Sequence, residues 1–168
     1  MKKILLVICF FILSLGVAQA STPEIGKETI PVIIVNNAYS DARLSFAKTK
    51  SELPPILINQ ITKSLESKYT VKQIDNTFNI LDVASTEKAD ILDMFKDSNY
   101  STIILVEILP VITRPYADFD SIHIKILDIV SKKYLYNGKL WSEKQLPQSA
   151  LNDMSPKLDT ILKGTFKI

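Results

Sequence analysis

The sequence predicts one α/β (α+β) domain in two or three layers, built on a mixed five-stranded sheet of order 2-1-3-4-5. Three observations carry that reading. Ser101 to Pro110, Ser-Thr-Ile-Ile-Leu-Val-Glu-Ile-Leu-Pro, is a near-continuous apolar run of strand length, rich in β-branched residues. It does not alternate, as expected of a strand covered on both faces at the centre of a parallel sheet. Two shorter strand-like runs precede it, each followed by a stretch of helical spacing. Two such crossovers, both right-handed, give a parallel core of three strands. From Asp120 onward the apolar period changes to two, which signals an antiparallel hairpin added at one side.

The chain opens with Lys2 and Lys3, an apolar run from Ile4 to Leu15, then Gly16 and Ala18-Gln19-Ala20. A charged start, an apolar middle and a small-x-small end form a secretory signal with cleavage after Ala20. The run is shorter than the roughly 20 apolar residues that a membrane span needs. Residues 1–20 are therefore read as a signal peptide, with no transmembrane anchor after cleavage. Ser21 stands where a bacterial lipoprotein needs cysteine, so the exported chain is periplasmic or extracellular and not a lipoprotein. Cys9 leaves with the signal, so the exported domain has no disulfide and relies on its hydrophobic core. Lys2 and Lys3 also account for the excess of 20 basic over 18 acidic residues. A balanced mature chain argues against a nucleic-acid partner.

Residues 21–29 are polar, with Pro23 and Gly26, and read as a flexible lead-in to a domain over 30–168. Ile30 to Val35 is a buried strand, ended by the turn formers Asn36 and Asn37. Asp41 to Lys50 reads as a loop. Ser51 caps a helix with Pro54 and Pro55 in its first turn, where a missing N–H matters little. Leu57, Ile58, Ile61 and Leu65 share one face of it. Tyr69 to Ile74 alternates as a half-covered edge strand does, and Asp75-Asn76 is a turn. Ser85 or Thr86 caps a second helix whose buried face is Ala89, Leu92 and Phe95.

Beyond the central strand, Thr113 to Asp118 is a loop. Ile122, Ile124 and Ile126 then alternate with Ser121, His123 and Lys125, predicting a strand with one solvated face. Ser131-Lys132-Lys133 is the hairpin turn and Tyr134 to Trp141 the return strand. Asn137-Gly138 is either a second hairpin turn or a bulge at Gly138, and a continuous strand with the bulge is preferred. Leu151, Met154, Leu158, Ile161 and Leu162 form a last helix. It either kinks at Pro156 or restarts there with Ser155 as cap, and it stops at Gly164.

This order resembles that of a group of small bacterial envelope domains, among them the amino-terminal domain of the Tol translocation protein TolB and the CsgG-like proteins of curli secretion. The resemblance spans Ile30 to about Leu162. It rests on Pro31-Val32-Ile33-Ile34-Val35, on Tyr69-Thr70-Val71-Lys72-Gln73, on Tyr100 to Val106, and on the Asp-containing hairpin Ile126 to Leu135. It implies a non-enzymatic accessory domain in envelope assembly or transport, with another envelope protein as partner. It carries over no binding residue.

Catalytic constellations are missing from the sequence. His123 is the one histidine, read as a solvated sheet residue. No nucleophile elbow, zinc-ligand spacing or glycine-rich phosphate loop occurs, so no catalytic residue, metal or cofactor is expected. Asn99-Tyr100-Ser101 matches a glycosylation sequon but opens a buried strand. Asp118 and Asp120 read as solvated turn residues, since spacing alone does not make a glycosidase pair.

Glu107 interrupts the central apolar run and needs a partner or an exit to water. Arg114 is the nearest cation in sequence. Late in its strand, Glu107 also falls at the rim where open α/β sheets bind ligands, with Asn36, Asn37 and Tyr39 following the neighbouring strand. Tyr134, Tyr136 and Trp141 mark the return strand as a protein-contact edge. The leading functional reading is an exported, non-catalytic domain that binds another envelope protein. The alternative is a small-ligand binder using the rim, and a carboxylate-dependent hydrolase ranks last. A pocket at the rim would favour the alternative, and an uncovered sheet edge the leading reading.

Processing is directly testable. Mass spectrometry of the exported protein is expected to show an amino terminus at Ser21, and an intact Lys2-Lys3 start would contradict the signal reading.

Overall fold

The structure, a computed structural model, describes residues 26–37, 47–110, 119–144 and 147–168. The signal segment, Tyr39, Arg114 and Asp118 lie outside the described residues. Eight elements follow in order: β1 (Glu28–Asn36), α1 (Ala47–Leu65), β2 (Tyr69–Gln73), α2 (Lys88–Met94), β3 (Thr102–Pro110), β4 (Phe119–Asp128), β5 (Lys133–Trp141) and α3 (Pro147–Phe166). The five strands form one sheet of order β2-β1-β3-β4-β5. β1 runs parallel to β2 and β3, while β3, β4 and β5 pair antiparallel. This is the mixed sheet that the hydrophobic periods predict.

Connection handedness fixes the layers. The chain moves one way across the sheet from β1 to β2 and back the other way from β2 to β3. Right-handed crossovers then place α1 and α2 on opposite faces. On one face Ile30, Val32, Ile104, Val106, Ile122, Ile124 and Ile126 pack against Leu57 and Ile61 of α1 and Leu151, Met154 and Leu158 of α3. On the other, Ile33, Val35, Ile103, Leu105 and Leu127 pack against Ile91 and Phe95 of α2 and against Ile80 and Val83. Both faces of β3 are therefore buried, as its unalternating sequence requires.

Several boundaries differ from the sequence reading. β1 begins at Glu28, inside the expected lead-in. α1 begins at Ala47 rather than after Ser51, so Pro54 and Pro55 lie within it. Neither can donate to the carbonyl four residues back. Leu53, Leu57, Ile61 and Leu65, four apart and buried, hold the helix through packing. Ile58 is half-buried.

The α2 cap is Glu87, without a side-chain bond. The expected caps Ser85 and Thr86 bond to Asp82 instead, through Ser85 N–H to Oδ1 (2.9 Å) and Thr86 Oγ1 to the carbonyl (2.5 Å). The buried pair on α2 is Ile91 with Phe95, and Ala89 is exposed. α3 is continuous through Pro156 and passes Gly164. Its end is a left-handed Lys167 (φ 53°), after which Ile168 N–H bonds the Lys163 carbonyl at 3.0 Å. That six-to-one bond closes the helix.

Two corrections bear on β4 and β5. Ser121 and Lys125 are buried and His123 is half-buried, so the face expected to be solvated is covered over these residues. The chain between β2 and α2, together with Tyr134, lies over that side. β5 is one continuous strand, as preferred, but its bulge is not at Gly138. Ile126 pairs with Tyr136 and Leu127 with Tyr134, which leaves Leu135 as the extra residue. The bulge re-aims the strand. Tyr134 packs toward the α2 side, and Tyr136, two residues on, toward the α3 side.

Gly138 has a different task. A Cβ there would meet the Tyr136 hydroxyl at 2.7 Å and its Cζ at 3.0 Å, so the end of the ring lies over Gly138 and has to shift if a side chain is added. Alanine ordinarily improves a strand interior over glycine. Here Gly138→Ala is expected to destabilise by about 1 kcal/mol. In a Tyr136→Ser background the same change should instead stabilise slightly. A double-mutant cycle by urea denaturation reads the reversal.

Candidate functional site

Parallel pairing of β1 with β3 places Val35 beside Glu107 and Asn36 beside Ile108. Asn37 N–H adds one more bond to the Ile108 carbonyl at 2.9 Å, which fixes the residue at the strand ends. Its side-chain amide donates 2.8 Å bonds to Glu107 Oε1 and to the Leu81 carbonyl. Glu107 Oε2 accepts Val83 N–H at 2.9 Å and Ala84 N–H at 3.3 Å. The residue is 3% exposed. Among the described residues its hydrogen-bond donors are thus an asparagine and two backbone amides, which can satisfy a buried carboxylate.

The facing strand completes the arrangement. Lys125, on β4 opposite Leu105, is also 3% exposed. Its Nζ donates 2.8 Å bonds to the Ala84 and Thr86 carbonyls and sits 5.8 Å from the Tyr134 ring centroid. Burial lowers the Lys125 pKa, while the Asp82 and Glu107 carboxylates act the other way. Asp82 is itself held below its ordinary 3.8, first by the Ser85 backbone N–H.

The segment from Leu81 to Thr86 is therefore held by three side chains from three strands: Asn37 just past β1, Glu107 on β3 and Lys125 on β4. It lies across the carboxyl ends of β1 and β3, where ligands enter open α/β sheets. Chemically the group is an anchor. Glu107 accepts three bonds and Lys125 donates two, all of them from or to the chain itself.

Of the residues singled out from the sequence, Asn37 and Glu107 meet directly, and Asn36 ends β1 half-buried. Tyr134, Tyr136 and Trp141 occupy three different surroundings. Tyr134 lies under Lys125, Tyr136 over Gly138, and Trp141 is 56% exposed with Lys157 Nζ 5.9 Å from its ring centroid. His123 Nε2 bonds Asn137 Oδ1 at 2.8 Å across β4 and β5. Lys125 was missed because its alternation with isoleucines reads as solvation. The available signal was a cation on the strand next to one bearing a buried acid.

Two cavities lie away from this anchor. One of about 460 Å³ separates α1 from α3 beside Gln60, Ser64 and Asp159. Another of about 240 Å³ adjoins Trp141 and Lys157. Asp159 is held below 3.8, first by Lys163 and then by the Ser64 hydroxyl. Among the described residues no cluster of three or more His, Cys, Asp or Glu is placed to hold a metal ion, and no helix is long and apolar enough to cross a membrane.

No protein-family model matches the sequence, and no curated protein does. Solved structures with a similar course of the chain include TolB from Acinetobacter baumannii, at 16% identity and a TM-score of 0.46. The match covers 82% of this chain but 29% of that TolB, so this chain spans less than a third of it. The PelC dodecamer from Paraburkholderia phytofirmans matches at 12% identity and 0.46, over 81% of this chain and 88% of PelC. Lipoprotein GNA1162 from Neisseria meningitidis matches at 14% and 0.44, over 80% and 97%. TolB, named in the resemblance read from the sequence, thus stands among the structural neighbours. No residue, ligand or partner is carried over from them.

The anchor makes a clear prediction. Glu107→Ala leaves two backbone amides and one side-chain amide unsatisfied, and is expected to lower stability by about 3 kcal/mol or more. Lys125→Met keeps the stem and should lose less, about 1–2 kcal/mol. Chemical denaturation measures both. A Glu107→Ala protein of unchanged stability would contradict the anchoring role.

Proposed function

We propose that this protein is an exported, non-catalytic α/β domain that works by binding another protein of the bacterial envelope. The observation that carries this reading is the use of the rim. Asn37, Glu107 and Lys125, the polar groups best placed to receive a small ligand, are bonded to the chain's own Leu81–Thr86 segment. What the fold leaves outward is an edge strand and an exposed Trp141, the kind of feature that anchors protein contacts. The secretory signal pattern of residues 1–20 and the missing catalytic constellation in the sequence support the same reading. The engagement of Asn37 and Glu107 counts against the small-ligand alternative, whose site would be Asn36, Asn37, Tyr39, Glu107 and Arg114.

Photo-crosslinking in the native host tests this. A photoreactive residue placed singly at exposed Asn59, Asp93 and Lys139 samples α1, α2 and β5. At least one position is expected to yield a discrete adduct with another envelope protein. No adduct at any of the three would overturn the reading.

A further inference from the structure

We infer that the outer edge of β5 receives an extended strand from a partner, with apolar residues facing the α3 side and acidic residues facing the other. This deepens the proposed interaction role and rests on it.

β5 ends the sheet, so alternate N–H and C=O groups along it point away from β4. The bulge at Leu135 disturbs pairing near the hairpin, but from Tyr136 to Trp141 the register with β4 is regular. Those residues form a pairing template of ordinary strand length. Its two sides differ in chemistry. Toward α3 lie Tyr136, packed on the main core, and buried Leu140. Away from it lie exposed Asn137 and Lys139, beside half-buried His123. A strand added here would extend the apolar side with apolar residues and meet a cation on the other.

Charge selects the occupant. β5 carries Lys133 and Lys139 and no acidic residue. Nearby Lys144 is also exposed, as is Lys157 over Trp141. The acids of this end, Glu143 and Asp153, lie off the strand: Asp153 on α3 accepts the Ser142 hydroxyl at 2.7 Å, and Glu143 follows β5, so the charge on the strand itself is that of its lysines. A second copy of β5 is a poor match. Antiparallel pairing centred on Lys139 sets two ammonium groups directly opposite, and pairing centred on Gly138 sets them on a diagonal. Like charges so placed are destabilising. Lysine on an edge strand is a common guard against self-association, and the same lysine favours an acidic strand.

Two short peptides serve as probes, one alternating valine with glutamate and one alternating valine with lysine. Trp141 is the chain's one tryptophan, so its fluorescence reports binding next to the edge. The glutamate peptide is expected to slow hydrogen exchange of the Tyr136 to Trp141 amides and to bind more tightly than the lysine peptide. Lys139→Glu, at an exposed position, should shift that ratio about tenfold toward the lysine peptide. Three results would overturn the inference: no slowing by either peptide, a ratio indifferent to Lys139→Glu, or a dimer of the protein alone that already protects these amides. Crosslinked adducts at Asn59 or Asp93 without peptide binding would overturn this inference alone. Adducts at none of the three positions would overturn the interaction reading with it.

Discussion

A carboxyl group in a strand covered on both faces must find its hydrogen-bond partners inside the protein. Glu107 lies on β3 between two buried layers, and an unpartnered acid there would cost several kcal/mol. The chain answers by bringing backbone to it. Val83 and Ala84 turn their N–H groups onto one oxygen, and Asn37 turns its amide onto the other. Lys125 then takes the carbonyls of the same segment. The connection from β2 to α2 is thereby bound to three strands, and it brings Ile80 and Val83 into the second core. The short α2 alone would give that face little more than Ile91 and Phe95.

The opposite face needs no such device. α1 and α3 are long, and their apolar residues recur every three or four positions over the isoleucines of β3 and β4. The two faces are therefore stabilised differently, one by apolar area and the other by apolar contacts plus a buried polar network. The bulge at Leu135 joins the two schemes. By reversing the strand's facing it gives Tyr136 to the α3 side and Tyr134 to the network, where its ring lies beneath the Lys125 ammonium.

Strand order, orientation and the central strand were legible in the sequence because they follow from period, length and handedness, which local residues express. Glu107 stood out for the same reason, as a charge in an apolar run. Its partners were not legible. Arg114, the nearest cation in sequence, lies outside the described residues, and the amides of Val83 and Ala84 come from more than twenty residues away through a non-repetitive segment. Lys125 was misread because period two tells that alternate residues share a face but not whether that face is covered. Helix ends failed where packing outweighed capping: Leu53 to Leu65 carry α1 across Pro54 and Pro55, and α3 runs past Gly164 to a left-handed Lys167. A glycine in a strand suggests a bulge, whereas the bulge of β5 is at Leu135 and Gly138 lies beneath the end of the Tyr136 ring.

The segment from Leu81 to Thr86, bonded to Asn37, Glu107 and Lys125, closes the described part of the rim with the protein's own chain. Native-state hydrogen exchange of the Val83 and Ala84 amides tests that claim most directly. These residues lie outside regular secondary structure, where amides ordinarily exchange quickly. With their N–H groups bound to the buried Glu107 carboxylate, they are expected to exchange as slowly as the amides of Ile104 and Val106 in β3. Exchange at the rate of an unstructured peptide would show that the segment opens freely and that the rim is not closed.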